Sequence, residues 1–254
     1  MPKLIKAKPA TRTKSATRTP TKTPQRIVTR SIALFNRYGV QSVAIERICT
    51  DLKISPGNLT YHFPRKDDLI RASVEVLKEH LHQALERPTA VKGPQEGAEY
   101  LIRIFRTFWD FRFYFNALAF LLTDDPALRK EYYVLRDWLI DTMASDMEFL
   151  AERGHMTAPL LPNTFRLLSE NIYGLLLNWL RTQQIEHPSA PTPSNAALRD
   201  VALHLWSLSQ HWMNAPYAHA LLKVYLTMLA DPKAESGAAA KTASASTKTS
   251  RSSR

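Results

Sequence analysis

Residues 54–69, ISPGNLTYHFPRKDDL, constrain the fold of this chain more than any other stretch. They write a helix start, a helix of about six residues, a stop and a second helix start in quick succession. Ser55-Pro56 is a capping residue followed by proline in the first turn. Pro64 disfavours a helical residue before it. Asp67 and Asp68 then fall in the first turn of the next helix, where they complement its dipole. A helix this short cannot build a core, so it makes sense only as a part presented to a partner.

The charge distribution indicates which partner. Residues 1–66 carry 14 Lys and Arg against 2 Asp and Glu, whereas residues 67–231 carry 15 against 20. The overall net charge of +11 therefore comes from the two ends. This asymmetry fits a small nucleic-acid-binding head on a larger, mildly acidic body. The 7 glycines and the near absence of period-2 alternation argue against a sheet, so the expected class is all-α. The single cysteine, Cys49, excludes an internal disulfide and a cysteine-based zinc site. It is compatible with the reducing cytoplasm, where the chain is expected to work. No run of about 18 apolar residues appears, so no membrane span is expected, and the basic N-terminus lacks the apolar segment of a secretory signal.

Residues 1–23 and 232–254 are rich in Lys, Arg, Ala, Ser and Thr, with almost no large apolar side chains. Both are expected to be disordered. Helices are expected in between. The first runs from Thr23-Pro24 to Gly39, the second over 44–52, the third from Ser55-Pro56 to Pro64, and the fourth from Lys66. Longer ones follow at 94–111, 112–122, 126–154 and 163–184. Residues 187–194, HPSAPTPS, read as a linker, and 195–231 as one or two helices interrupted at Pro216. A head over 24–80 and a body over 81–231 follow from this pattern.

A helix, a tight turn and a second short helix form the helix-turn-helix pattern, whose second helix enters the major groove by its N-terminal end. That end holds Ser55, Pro56, Gly57 and Asn58. Gly57 lets backbone approach DNA, Asn58 can bond an adenine edge, and Thr60 a base edge or a thymine methyl. Tyr61, His62 and Lys66 sit where phosphates would lie. His62 reads equally as a packed or capping residue. Leu59, Phe63, Ile45, Ile48 and Cys49 have the spacing of core.

With these residues in place, residues 25 to about 70 resemble the DNA-binding domain of the tetracycline-repressor (TetR/AcrR) family of transcriptional regulators. The matching positions are Ala33, Phe35, Gly39, Ile48, Ile54, Ser55, Gly57, Leu59, His62, Phe63, Lys66 and Leu69. The resemblance implies nine or more helices, a homodimer, and a ligand cavity in the C-terminal body, with ligand binding releasing DNA. The chain departs from the pattern in four places. Ser42 or Val43 takes the place of a good cap on the second helix. Lys53 replaces the turn glycine, and can reach a phosphate. Thr60 stands where the family has tyrosine. Glu46 stands where a base- or phosphate-reaching side chain is common, and could accept from a cytosine amino group.

Residues 105–120, FRTFWDFRFYFNALAF, hold eight aromatics in sixteen positions. Most such residues are core, but eight cannot share one stripe, so some are expected to line the cavity that the resemblance implies. The expected walls are Trp109, Phe113, Phe120, Tyr133, Trp138, Tyr173 and Trp179, with Arg112 and Asn116 as polar anchors. The expected effector is apolar or amphipathic, and anionic if Arg112 points inward. Helices over 163–179 and 201–212 are apolar on more than one side, as a dimer interface requires.

The leading reading is a ligand-responsive repressor that binds double-stranded DNA as a homodimer. The alternative is a ligand-independent DNA-binding or architectural protein using its basic tails. An all-helical enzyme finds no support, since no HExxH, glycine-rich phosphate loop or GxSxG is present. No cofactor or metal is expected.

Overall fold

The computed structural model describes residues 23–87 and 93–230, and every regular element among them is a helix. The expected basic arm, apart from Thr23, and the expected C-terminal tail lie outside the described residues. The helices are α1 (Thr23–Tyr38), α2 (Ile45–Leu52), α3 (Pro56–His62), α4 (Lys66–Ala84), α5 (Pro94–Asp110), α6 (Arg112–Asn116), α7 (Leu118–Thr123), α8 (Pro126–Glu152), α9 (Thr164–Glu186), α10 (Asn195–Ser209) and α11 (Ala215–Met228).

In the head, α1 buries Ile27, Val28, Leu34 and Phe35, and the Ser31 hydroxyl on the same face donates to the Ile27 carbonyl at 2.7 Å. Gly39, at φ +79°, lets the chain turn away. The start of α2 differs from expectation. Its N-cap is Ala44, which makes no side-chain cap, while Val43 is fully buried. An apolar anchor in the core, rather than a hydroxyl cap, fixes where this helix begins. Arg30 of α1 forms a two-pronged ion pair with Asp51 of α2, the Nη2–Oδ1 contact measuring 2.7 Å.

α4 continues out of the head and buries Leu69, Ile70, Val74, Leu77 and Leu81 against α1 and α5. Toward α8 it reaches with charged side chains instead. Arg71 pairs with Asp125, Lys78 Nζ lies 3.0 Å from Glu131, and Arg87, just beyond the helix, lies 3.0 Å from Asp146.

The body packs α8 on α9, α11 on α5 and α10 on α9. Two breaks differ from expectation. Residues 112–122 are two short helices rather than one, separated at Ala117, while the turn at Phe111 falls where the sequence placed it. Neither position holds glycine or proline. At Phe111 a side chain of the head takes up the freed backbone groups: Asn36 donates to the Asp110 carbonyl at 2.6 Å and accepts the Phe113 N–H at 2.9 Å. The second break precedes Pro216, which sits in the first turn of α11. The interruption falls at 210–214, where Asn214 N–H donates to the His155 carbonyl at 2.8 Å and Thr157 N–H to the Trp212 carbonyl at 2.7 Å. Among the described residues, no helix is long and apolar enough to cross a membrane.

Candidate nucleic-acid interface and ligand cavity

The head presents α3 by its N-terminal end. Ser55 caps it, accepting the Asn58 N–H at 3.2 Å, and Pro56 fills the first turn. Leu59 is fully buried and fixes the helix to the core. Gly57, Asn58, Thr60 and Tyr61 are exposed on the other side. A Cβ on Gly57 would meet nothing within 4 Å, so glycine there leaves room for something outside the chain. The Thr60 hydroxyl donates to the Pro56 carbonyl at 3.0 Å, which satisfies it within the helix. Tyr61 is 83% exposed and edge-on to His62, which is half-buried.

Lys53 closes α2 in the left-handed region, at φ 54° and ψ 47°, with its side chain exposed. Glu46 is exposed on α2 beside Arg47, whose guanidinium lies 3.6 Å over the Tyr38 ring. The sequence reading missed Arg47; its position next to Glu46 on the outer face of α2 was the available signal. Lys66 is half-buried, and its ammonium donates to the Val40 carbonyl at 2.5 Å. Burial holds its pKa below the ordinary lysine value. One of its three donors therefore ties the start of α4 to the turn after α1. Cys49 is buried, and burial pushes its thiol pKa up, opposite to what a reactive cysteine needs.

The body holds a cavity of about 200 Å³ between α5, α8, α9, α10 and α11. Its walls include Ile104, Phe105, Met143, Met147, Phe149, Met156, Ile172, Leu176, Trp206, Met213, Tyr217 and Tyr225. None of the nine residues expected at a ligand site lines it. Trp109, Phe113, Tyr173 and Trp179 are buried core, Trp138 packs on His82 of α4, Asn116 is exposed, and Phe120 and Tyr133 lie half-exposed on the surface. Arg112 corrects the expectation of an inward-facing anchor for an anion. Its guanidinium donates to Gln184 Oε1, the Trp109 carbonyl and the Ala190 carbonyl, each at 2.9 Å. Burial lowers its pKa to about 10, which leaves it charged at neutral pH. It fastens the linker after α9 to the turn at Phe111, helped by Trp109 Nε1, 3.2 Å from the Pro191 carbonyl. The aromatic run is thus largely core, and the cavity lies beside its N-terminal end.

One polar cluster interrupts the apolar wall. Tyr100 donates to Asp146 Oδ2 at 2.5 Å. Arg87 Nε lies 3.0 Å from Asp146 Oδ1 but off the hydrogen-bond direction, so that buried oxygen has a charge beside it and no aligned donor. Burial raises the Asp146 pKa, outweighing the opposing effects of Tyr100 and Arg87. Among the described residues, no group of His, Cys, Asp and Glu side chains is placed to hold a metal.

A short exposed reading helix on a three-helix head, carried by a larger helical body, is the layout of a DNA-binding regulator. Residues 27–73 match the model of the bacterial regulatory proteins of the tetR family, and residues 76–221 match the TetR bacterial transcriptional repressor model. The chain belongs to the TetR family, and is a DNA-binding transcription regulator rather than an enzyme. Solved structures share its fold. A TetR-family regulator from Marinobacter aquaeolei aligns with a TM-score of 0.70 at 24% identity, covering 80% of this chain and 97% of that one. The TetR-family regulator PfmR from Thermus thermophilus gives 0.55 at 18%, covering 73% and 97%. A TetR regulator from Haloarcula marismortui gives 0.59 at 11%, covering 75% and 98%. No curated protein matches the chain significantly.

Proposed function

We propose that the chain is a homodimeric, ligand-responsive repressor of the cytoplasm that binds a pseudo-palindromic operator and is released by a small effector. The observation that carries this reading is the cavity together with its wiring. Asp146, at the cavity wall, lies beside Arg87, three residues beyond the end of α4, and the start of α4 carries Lys66, bonded to the turn between α1 and α2. A ligand in the cavity therefore meets Arg87 in the segment that continues the helix on which the head is mounted. It shifts the position of the head by its differential affinity for the two states, typically about 1–3 kcal/mol.

Base reading falls to Asn58 and Thr60, with Gly57 giving close approach. Ser55, Pro56, Tyr61, His62, Lys66, Lys53 and Glu46 complete the surface that faces DNA. One helix this short reads too few bases alone, so two copies about one turn of DNA apart are needed. The outer face of α9 supports a dimer. Leu167, Asn171, Gly174, Asn178 and Ile185 share it and are exposed. A Cβ at Gly174 would meet nothing within 4 Å. Glycine inside a helix costs about 1 kcal/mol, and nothing within this chain requires it there. A second helix approaching closely from outside would. Leu203 on α10 is a further exposed apolar side chain.

Footprinting with the purified full chain tests the reading. A short protected palindrome by a species of twice the chain mass is expected. Diffuse protection that grows with protein concentration would favour an architectural role instead.

A further inference from the structure

We propose that the cavity takes a small organic cation with an apolar body, which binds Asp146 in place of Arg87; this rests on the ligand-responsive reading above. The cavity already holds a cation of the protein's own. The Arg87 guanidinium lies beside the Asp146 carboxylate and 4.6 Å over the Phe149 ring. The chain thereby displays what this corner recognises: a delocalised positive charge between a carboxylate and an aromatic face. Arg87 fills the place imperfectly. Its approach to Asp146 Oδ1 is off-line, its side chain stays 33% exposed, and one of its nitrogens is diverted to Ser145 Oγ at 3.2 Å.

The rest of the wall fits the body of such a ligand. Phe105, Trp206 and Tyr225 offer aromatic faces, and the Tyr225 hydroxyl is already spent on the Leu198 carbonyl at 2.8 Å. Asp146 and Arg87 are the charged side chains of this wall. Asp146 is the less exposed of the two, 18% against 33%, with its Oδ1 buried, and a largely buried carboxylate oxygen in apolar surroundings favours a cationic partner. At about 200 Å³ the space is below the roughly 300 Å³ of a drug-sized site, so the ligand is small.

Displacing Arg87 also supplies the signal. Arg87 is the last of the three charged arms, after Arg71 and Lys78, that α4 and its extension lay onto α8. A ligand that neutralises Asp146 frees the end of α4 nearest the cavity while the two arms nearer the head remain.

The test uses three probes of one shape and different charge: 4-tert-butylbenzamidine, 4-tert-butylbenzamide and 4-tert-butylbenzoate. Calorimetry measures their binding to the full chain, and fluorescence anisotropy measures operator release. The amidine should bind at least about tenfold more tightly than the amide, as a charge-assisted contact requires. Asp146→Asn should abolish that preference. Arg87→Gln should tighten amidine binding by removing the resident competitor, and this partly exposed position keeps the test decisive should Asp146→Asn fold poorly. Equal binding of amidine and amide would overturn the cation proposal while leaving the ligand-responsive reading standing. Tightest binding of the benzoate, lost in Arg87→Gln, would make Arg87 the anchor of an anion site and overturn it as well. Failure of all three probes to bind would count against the cavity as an effector site, and so against both.

Discussion

Lys53 holds a backbone conformation that side chains other than glycine adopt at a cost of about 1 kcal/mol. The proposed phosphate contact of its exposed side chain, next to α3, would offset that cost. Lys53→Gly should raise Tm, the relief of strain being partly offset by the greater freedom of glycine in the unfolded chain. It should also reduce the slope of log K against log salt for operator binding by about one phosphate contact. A higher Tm with an unchanged slope would leave Lys53 without a DNA role. Asn58→Ala should relax specificity at one position of each half-site by roughly 1–3 kcal/mol; equal weakening on operator and random duplex would remove its base-reading role. Asp146 gives a third expectation. Burial raises its folded pKa, so its contribution to stability is fully present below the unfolded carboxylate pKa and is lost as pH rises through the folded value. Asp146→Asn, with no charge to bury, should gain Tm relative to the unsubstituted chain as pH rises above the unfolded carboxylate value of about 4. A pH-independent difference in Tm would contradict the raised pKa. At this scale the sequence was readable where function depends on exposure. The outer residues of α3 follow from helix period and a single buried Leu59. The cavity residues were not readable, because Arg87, Tyr100 and Asp146 are far apart in the chain and meet only through packing.

Among the elements, boundaries written in local chemistry came out where the sequence placed them. Ser55-Pro56, Pro126 and Gly154 each mark an end by a cap, a fixed φ or a left-handed turn. The break at Ala117 was missed, since no helix breaker marks it. The turn at Phe111 fell where the sequence placed it, and its open carbonyl and N–H are taken by Asn36, 74 and 77 positions earlier. Asn36→Ala should therefore lower the urea midpoint by an amount equivalent to about 1–3 kcal/mol, since it strips two backbone groups of their partner. It should also change how strongly the effector alters DNA affinity, because that side chain joins the head to the body. An unchanged midpoint would mean that water replaces Asn36 without cost. The cap of α2 is a further miss, since the N-cap is Ala44 rather than Ser42 or Val43, and Val43 is buried in the core.

For the whole molecule, two glycines have opposite meanings. At Gly97 a Cβ would come within 3.1 Å of Leu221 and 3.3 Å of the Tyr217 hydroxyl, so the packing of α5 on α11 needs the small residue. Gly174 faces open space. Gly174→Leu should raise Tm by a few degrees in dilute solution, where the subunits are apart and the helix is relieved of its glycine, yet shift the molecule toward monomer in sedimentation and weaken operator binding. Retention of the dimer would place the interface elsewhere. The charge asymmetry between head and body was plain from composition. The packing order of α8 to α11 was not, since these helices are apolar on several sides and period alone cannot pair them.

Four of the six methionines, Met143, Met147, Met156 and Met213, line the cavity. Thioether chains are unbranched and polarizable, and they change rotamer at little cost. Such walls can remould around what enters, so the cavity volume does not fix the outline of a ligand. On the proposed reading, a carboxylate held by Tyr100 and set among yielding walls would make the cavity strict about charge and lenient about outline, able to answer to a chemical class rather than to one compound.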